Sequence, residues 1–157
     1  KVHPPLRTDA DVAAIAEGLA SGVLDAIATD HAPHTPEDKE RPFDHAPPGM
    51  LGLEYALALA FTQLVDGGAG MTEADVLAAM SWRPARIAGL EHHGGPVAPG
   101  AAANLCVIDP SAQWTIDDSG GASRSRNVPY VGRTVRGRVR HTFLFGEQVV
   151  IDGEVQR

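Results

Sequence analysis

Residues 24–34 read LDAIATDHAPH, an apolar run that breaks abruptly into Asp30, His31 and His34. The run is too short for a typical helix, and Gly22 precedes it while Pro33 follows, which suits a strand buried on both faces. Buried parallel strands look like this. A segment of this kind points to an α/β fold, in a barrel or open sheet where the strand ends carry the chemistry. Asp30 then holds the last strand position, followed at once by imidazoles. A carboxylate there can ligate a hard or borderline metal, and it can shuttle a proton to and from water. The same string also suits an acid that caps the turn after the strand, with both histidines as ordinary loop residues.

The flanks support an alternating pattern. Residues 1–3 read as the end of a strand, and Pro4-Pro5 forces an extended exit because a residue before proline is pushed out of the helical region. Thr8 is a candidate N-cap. Val12, Ile15, Ala16 and Leu19 recur at helical spacing until Ser21-Gly22, which predicts an amphipathic helix. Strand, helix and strand make a βαβ unit with parallel strands, placing His3 and Asp30 on one rim, with Arg7 adding positive charge. Residues 35–48 (TPEDKERPFDHAPP) form a long loop at that rim, and the charge run over 37–41 reads as a solvated face. Pro48-Gly49 offers bare backbone for close approach to a ligand, although a turn before a helix needs no function. Leu53, Leu57, Ala60, Phe61 and Leu64 share one face of a helix expected over 50–65. Thr72 and Asp75 begin another, a short helix spans 84–90, and Met80, Trp82 and Ile87 read as core. His92 and His93 beside Gly94-Gly95 read as exposed loop.

From Val97 the helical period ends. Short β-rich runs lie at 104–108, 114–116, 138–145 and 148–151, with a hairpin signal at Phe145-Gly146, so a small β-sandwich is expected, with a glycine- and serine-rich flexible crossover at 119–127 within it. The division falls into residues 1–96 and 97–157. With 43% hydrophobic residues among 157, there is material for a core. Thirteen basic against twenty acidic side chains, and no cationic block, argue against a nucleic-acid or anionic-membrane surface. The single cysteine, Cys106, excludes an internal disulfide and reads as a core thiol rather than a nucleophile. No segment has the pattern of a signal peptide or membrane span, which makes the cytoplasm the default location. The chain opens on Lys1 and a strand tail, so a fragment is expected.

Three blocks in order, KVHPPLR at 1–7, ATDHAPH at 28–34 and APPGMLGLE at 46–54, resemble the dihydroorotases of the amidohydrolase superfamily. PGAAANLCVIDP at 99–110 and FGEQVVIDGEV at 145–155 are similar to superfamily-wide elements. The resemblance implies the C-terminal portion of a (β/α)8 TIM barrel plus a small β-sandwich domain. It implies reversible cyclisation of N-carbamoyl-L-aspartate to dihydroorotate in pyrimidine biosynthesis, with two zinc ions. Asp30 would be both metal ligand and general base and acid. His34 would donate to the carboxylate of dihydroorotate, Pro48 and Gly49 would contact its ring, and His3 stands where closely related bacterial enzymes often carry asparagine. His31 has no direct role implied. No His-x-His occurs here, so the other ligands lie outside this chain and the isolated piece is expected to be inactive. The remainder of the barrel is an expected partner, with a homodimer or aspartate transcarbamoylase as further ones. The alternatives are another cyclic amidohydrolase of hydantoinase or allantoinase type, and an inactive scaffold subunit of aspartate transcarbamoylase.

Overall fold

The Thr8–x–x–Asp11 and Thr72–x–x–Asp75 pairs each start a helix in the computed structural model, which describes residues 1–90, 93–117 and 121–156. At Thr8 the hydroxyl accepts from the Asp11 backbone N–H while the Asp11 carboxylate accepts from the Thr8 N–H, a reciprocal cap that opens α1 (Asp9–Ala20). Of α1 only Leu19 is buried; Val12 and Ile15 are 60% and 56% exposed. Thr35 caps the single turn α2 (Pro36–Lys39), with proline at the first position, where its missing N–H costs nothing. The long loop over 35–48 therefore contains a helical turn.

The helix expected over 50–65 is shorter and changes pitch. Residues 51–55 are irregular, α3 covers Ala56–Ala60, and the chain widens into a π-helical turn at Phe61–Asp66. Thr62 donates its hydroxyl to the Ala58 carbonyl (2.8 Å) and accepts the Arg136 N–H (3.1 Å), so the widened turn is also a hydrogen-bonded joint. The second reciprocal cap opens α4 (Glu73–Met80), and α5 (Trp82–Ile87) follows at once. Trp82 and Ile87 are 44% and 66% exposed, so they are not the core residues expected of them; their helix turns that face outward. His92 lies outside the described residues, and His93 is exposed.

The β-rich part is an antiparallel meander in the order β1 (Leu105–Thr115), β2 (Thr134–Leu144), β3 (Glu147–Ile151) and β4 (Glu154–Val155). The two runs expected at 104–108 and 114–116 join into one strand. Its register shifts between Asp109 and Gln113, where Pro110 cannot donate and Asp109 accepts from the Ser111 and Ala112 N–H groups instead. The hairpin expected at Phe145-Gly146 is present, both residues having positive φ (50° and 87°), as a two-residue turn matched to strand twist requires. Among the described residues there is one sheet and no second layer of a sandwich. Cys106 is exposed on β1 rather than buried in the core, and desolvation pushes its thiol pKa up, so it stays protonated at neutral pH.

Neither expected barrel strand is a strand here. Residues 1–3 and 24–29 form no ladder, because among the described residues no neighbouring strand lies beside them. Ile27 instead donates its N–H to Ala79 of α4 (2.9 Å). A strand is defined by its partners, and an apolar pattern cannot supply them.

Two clusters hold these elements. Leu19, Ala60, Phe61, Met71 and Val76 form one, and Leu51, Tyr55, Ala58, Ile116 and Val135 form the other, which joins the sheet to α3. Phe61 is fully buried under Gly137 of β2, and truncating a ring so placed costs about 3–5 kcal/mol. Arg136 clasps the same joint. Its guanidinium meets Asp66 (2.6 Å) and Glu73 (3.0 Å), donates to the Pro110 carbonyl (2.8 Å) and lies over the Phe61 ring.

Candidate active site

Residues 29–34 and 47–53 run side by side. Ala32 donates its N–H to the Met50 carbonyl (2.9 Å), and the His31 ring accepts at Nδ1 from the Gly52 and Leu53 N–H groups (3.4 and 3.3 Å). His31 thus ties the two segments together through its ring.

His34, Pro48 and Gly49 come into direct contact. His34 Nε2 lies 3.0 Å from the Pro48 carbonyl oxygen; since a carbonyl only accepts, the proton sits on Nε2 and Nδ1 is left to accept in the neutral ring. Gly49 has φ +138°, and a Cβ there would stand 2.5 Å from the Ala32 Cβ and 2.9 Å from His34 Nε2. Only glycine fits both the backbone conformation and the space. The Gly49 N–H donates to the Lys1 carbonyl (2.9 Å), which brings the segment carrying His3 to the same place. The His3 and Asp30 side chains are both exposed, Asp30 four residues before His34 on the same segment.

Three further side chains build this corner. Lys39 extends its ammonium into a cage of carbonyl oxygens from Gly49 (2.9 Å), Pro47 (3.1 Å) and Lys1 (3.4 Å). It belongs to the charge run read as solvated, and only its place on α2, opposite residues 47–49, distinguishes it. Asn127 donates from Nδ2 to the Ala32 and Gly49 carbonyls and accepts at Oδ1 from the His34 N–H. Glu54 accepts the N–H groups of Ala122 (2.9 Å) and Ser123 (3.1 Å), so the described part of the supposed flexible crossover is tied down. Residues 119 and 120 lie outside the described residues. Nothing in the local sequence marks Asn127, because its partners are 78 to 95 positions away.

The chemistry available is partial. Among the described residues no three His, Cys, Asp or Glu side chains gather closely enough to hold a metal ion, whereas a catalytic zinc needs about three protein ligands. Asp30 alone does not fit such a group. A hollow of about 410 Å³ lies elsewhere, between α3 and the sheet, lined by Glu54, Tyr55, Trp114, Asp117 and Arg138. Burial, together with Glu54 and Asp117, pushes the Tyr55 pKa up, which keeps that phenol neutral. No described helix is long and apolar enough to cross a membrane.

The chain is 47% identical over 155 residues to the dihydroorotase of Streptomyces coelicolor and 46% identical over 147 residues to that of Mycobacterium leprae. These stretches are 99% and 94% of this chain but 36% and 34% of those proteins, so the chain spans about a third of the length of the curated relatives it matches. Among solved structures, the L-hydantoinase (dihydropyrimidinase) from Arthrobacter aurescens superposes with a TM-score of 0.89 at 30% identity, over 100% of this chain and 35% of that one. The D-hydantoinase (dihydropyrimidinase) from Thermus sp. gives 0.88 at 27% identity, over 99% and 34%. The described fold is therefore shared with about a third of each of these enzymes. The model of the amidohydrolase family matches residues 4–149, from the segment of His3 through the paired segments of Asp30 and Gly49 to β3, and the chain belongs to that family.

Proposed function

We propose that this chain is the C-terminal third of a dihydroorotase, which opens the ring amide of dihydroorotate to N-carbamoyl-L-aspartate and closes it in reverse, in pyrimidine biosynthesis. One observation carries this reading: the identity of 47% to a dihydroorotase extends over 99% of the chain, including the ATDHAPH and APPGMLGLE segments that lie side by side. In this reading residues 1–96 are the last part of the barrel and residues 97–157 belong to a β-sandwich, completed by the preceding sequence in a cytoplasmic enzyme. That completion also gives residues 24–29 the strand neighbours that none of the described residues supplies.

Ring opening needs a group that takes a proton from the attacking water and returns it to the departing ring nitrogen. Asp30 does this, and such a relay contributes about 10²–10⁴ in rate. His34 and the backbone of Pro48 and Gly49 hold the substrate. A carboxylate held at His34 Nδ1 requires either a proton on both ring nitrogens or release of the Pro48 carbonyl; in the first case the imidazolium–carboxylate bond is of the strong, charge-assisted kind. His3 contributes through backbone or side chain beside Gly49. Two zinc ions belong to the proposal, and their chemistry, polarising the amide carbonyl and acidifying water, would be supplied only in the completed site. Of their ligands this chain offers Asp30, and the others come from sequence outside it.

The test is dihydroorotate hydrolysis by the full-length enzyme and by Asp30→Asn. We expect turnover by the first and a loss of at least ~10²-fold in the second; full activity in Asp30→Asn ends the assignment. The hydantoinase neighbour at 30% identity supports a second reading, a cyclic amidohydrolase acting on hydantoins. Faster turnover of hydantoin than of dihydroorotate would establish it.

A further inference from the structure

We infer that Asn127 is a positioning residue of the substrate site, a deepening that rests on the proposed hydrolysis. Its side-chain amide makes three hydrogen bonds to three residues: Nδ2 to the Ala32 carbonyl (2.9 Å) and the Gly49 carbonyl (3.2 Å), and Oδ1 from the His34 N–H (3.2 Å). Its own carbonyl accepts the Leu51 N–H (3.1 Å). One residue thus bonds the segment of His34 on one side and the segment of Gly49 on the other, and it sets the spacing between them. The contact of His34 Nε2 with the Pro48 carbonyl depends on that spacing.

The arrangement needs an amide. Two carbonyls require donors and one N–H requires an acceptor, and among side chains of this size only asparagine presents two N–H donors and a separate acceptor oxygen. Aspartate has the same shape but would set an acceptor oxygen against the Ala32 and Gly49 carbonyls, forcing the segments apart. Asn127 is itself held from behind, since Glu54 fixes Ala122 and Ser123 a few residues earlier in the same loop. Asn127 touches no reacting atom in this scheme and acts through His34 and Gly49. The proton relay at Asp30 is untouched, so substrate binding suffers more than the chemical step.

The experiment measures KM and kcat for dihydroorotate with the full-length enzyme and its Asn127→Asp, His34→Ala and doubly substituted variants. We expect Asn127→Asp to raise KM about tenfold or more while kcat falls by less than about threefold, and to add less than about twofold to KM once His34 is alanine. Unchanged KM in a folded Asn127→Asp enzyme overturns the inference. So do effects of the two substitutions that simply multiply, because a residue that only stabilises the fold behaves that way. If Asn127→Asp does not fold, Asn127→Ala, which removes the amide without adding charge, is read by the same criteria. If the unsubstituted enzyme turns over hydantoin and not dihydroorotate, the proposed substrate is wrong, and the role of Asn127 is decided by the same split on hydantoin.

Discussion

Replacing Gly49 with alanine strikes the most crowded point of the candidate site. The new methyl carbon would lie 2.5 Å from the Ala32 Cβ, about 0.9 Å inside ordinary contact at 3.4 Å, and 2.9 Å from His34 Nε2. Ala32 cannot retreat freely, because its N–H is bonded to Met50 and its carbonyl to Asn127. The backbone at φ +138° is one that a side chain rarely tolerates, at a cost of about 1–3 kcal/mol, and overpacking adds about 1–3 kcal/mol. Together these make about 2–6 kcal/mol against the observed arrangement. The enzyme relieves the strain by moving residues 47–49 away from His34, and the binding-competent arrangement becomes rare. Apparent affinity falls by the fraction of molecules that retain it, so even the lower bound of about 2 kcal/mol raises KM about 30-fold. On the proposed function, initial rates over a range of dihydroorotate concentrations measure this in the full-length protein. Gly70→Ala is the control, since φ there is +78° but nothing lies within 4 Å of the added carbon, so it carries backbone strain without the clash. A KM for Gly49→Ala within about twofold of that control refutes the steric argument.

Other perturbations test the scaffold. Gly137→Ala should destabilise the protein by about 2–5 kcal/mol in denaturant titrations, since φ is +96° and the added carbon would lie 2.6 Å from the buried Phe61 ring. Thr72→Ala removes a helix cap and should cost about 1 kcal/mol by the same measurement, with KM unchanged. The hydrogen bond from Arg136 holds the Asp66 carboxyl below the usual aspartate range, so its contribution is present above that range and lost as pH falls through the lowered value. Stability of the unsubstituted protein should therefore exceed that of Arg136→Met at neutral pH, and the gap should narrow in acid; a gap that widens below the aspartate range contradicts the clasp. The isolated 157-residue chain should bind no stoichiometric tight zinc by equilibrium dialysis, because Asp30 is a single ligand.

Local rules made much of this chain legible. A threonine three positions before an aspartate can close a reciprocal cap within a single turn, so the starts of α1 and α4 follow from short-range geometry alone. The Phe145-Gly146 turn is similarly local. The string around Asp30 and His34 drew attention to the segment that packs on Pro48 and Gly49, and those contacts exist. The pattern reaches its limit where the outcome depends on distant partners. Residues 24–29 carry a strand's composition but have no strand beside them among the described residues, and the apolar faces of α1 and α5 lie open.

Helix caps and tight turns are settled within about four residues of chain, so their residues specify them wherever they stand. The corner that joins His34 to Gly49 is different in kind. Lys39 and Asn127 are polar residues in polar loops with nothing periodic about them, and their roles come from carbonyls and N–H groups brought near only after the chain has folded back on itself. Backbone groups carry no residue-type signature, so a side chain whose partners are backbone atoms 8 to 95 positions away is recognisable only in three dimensions.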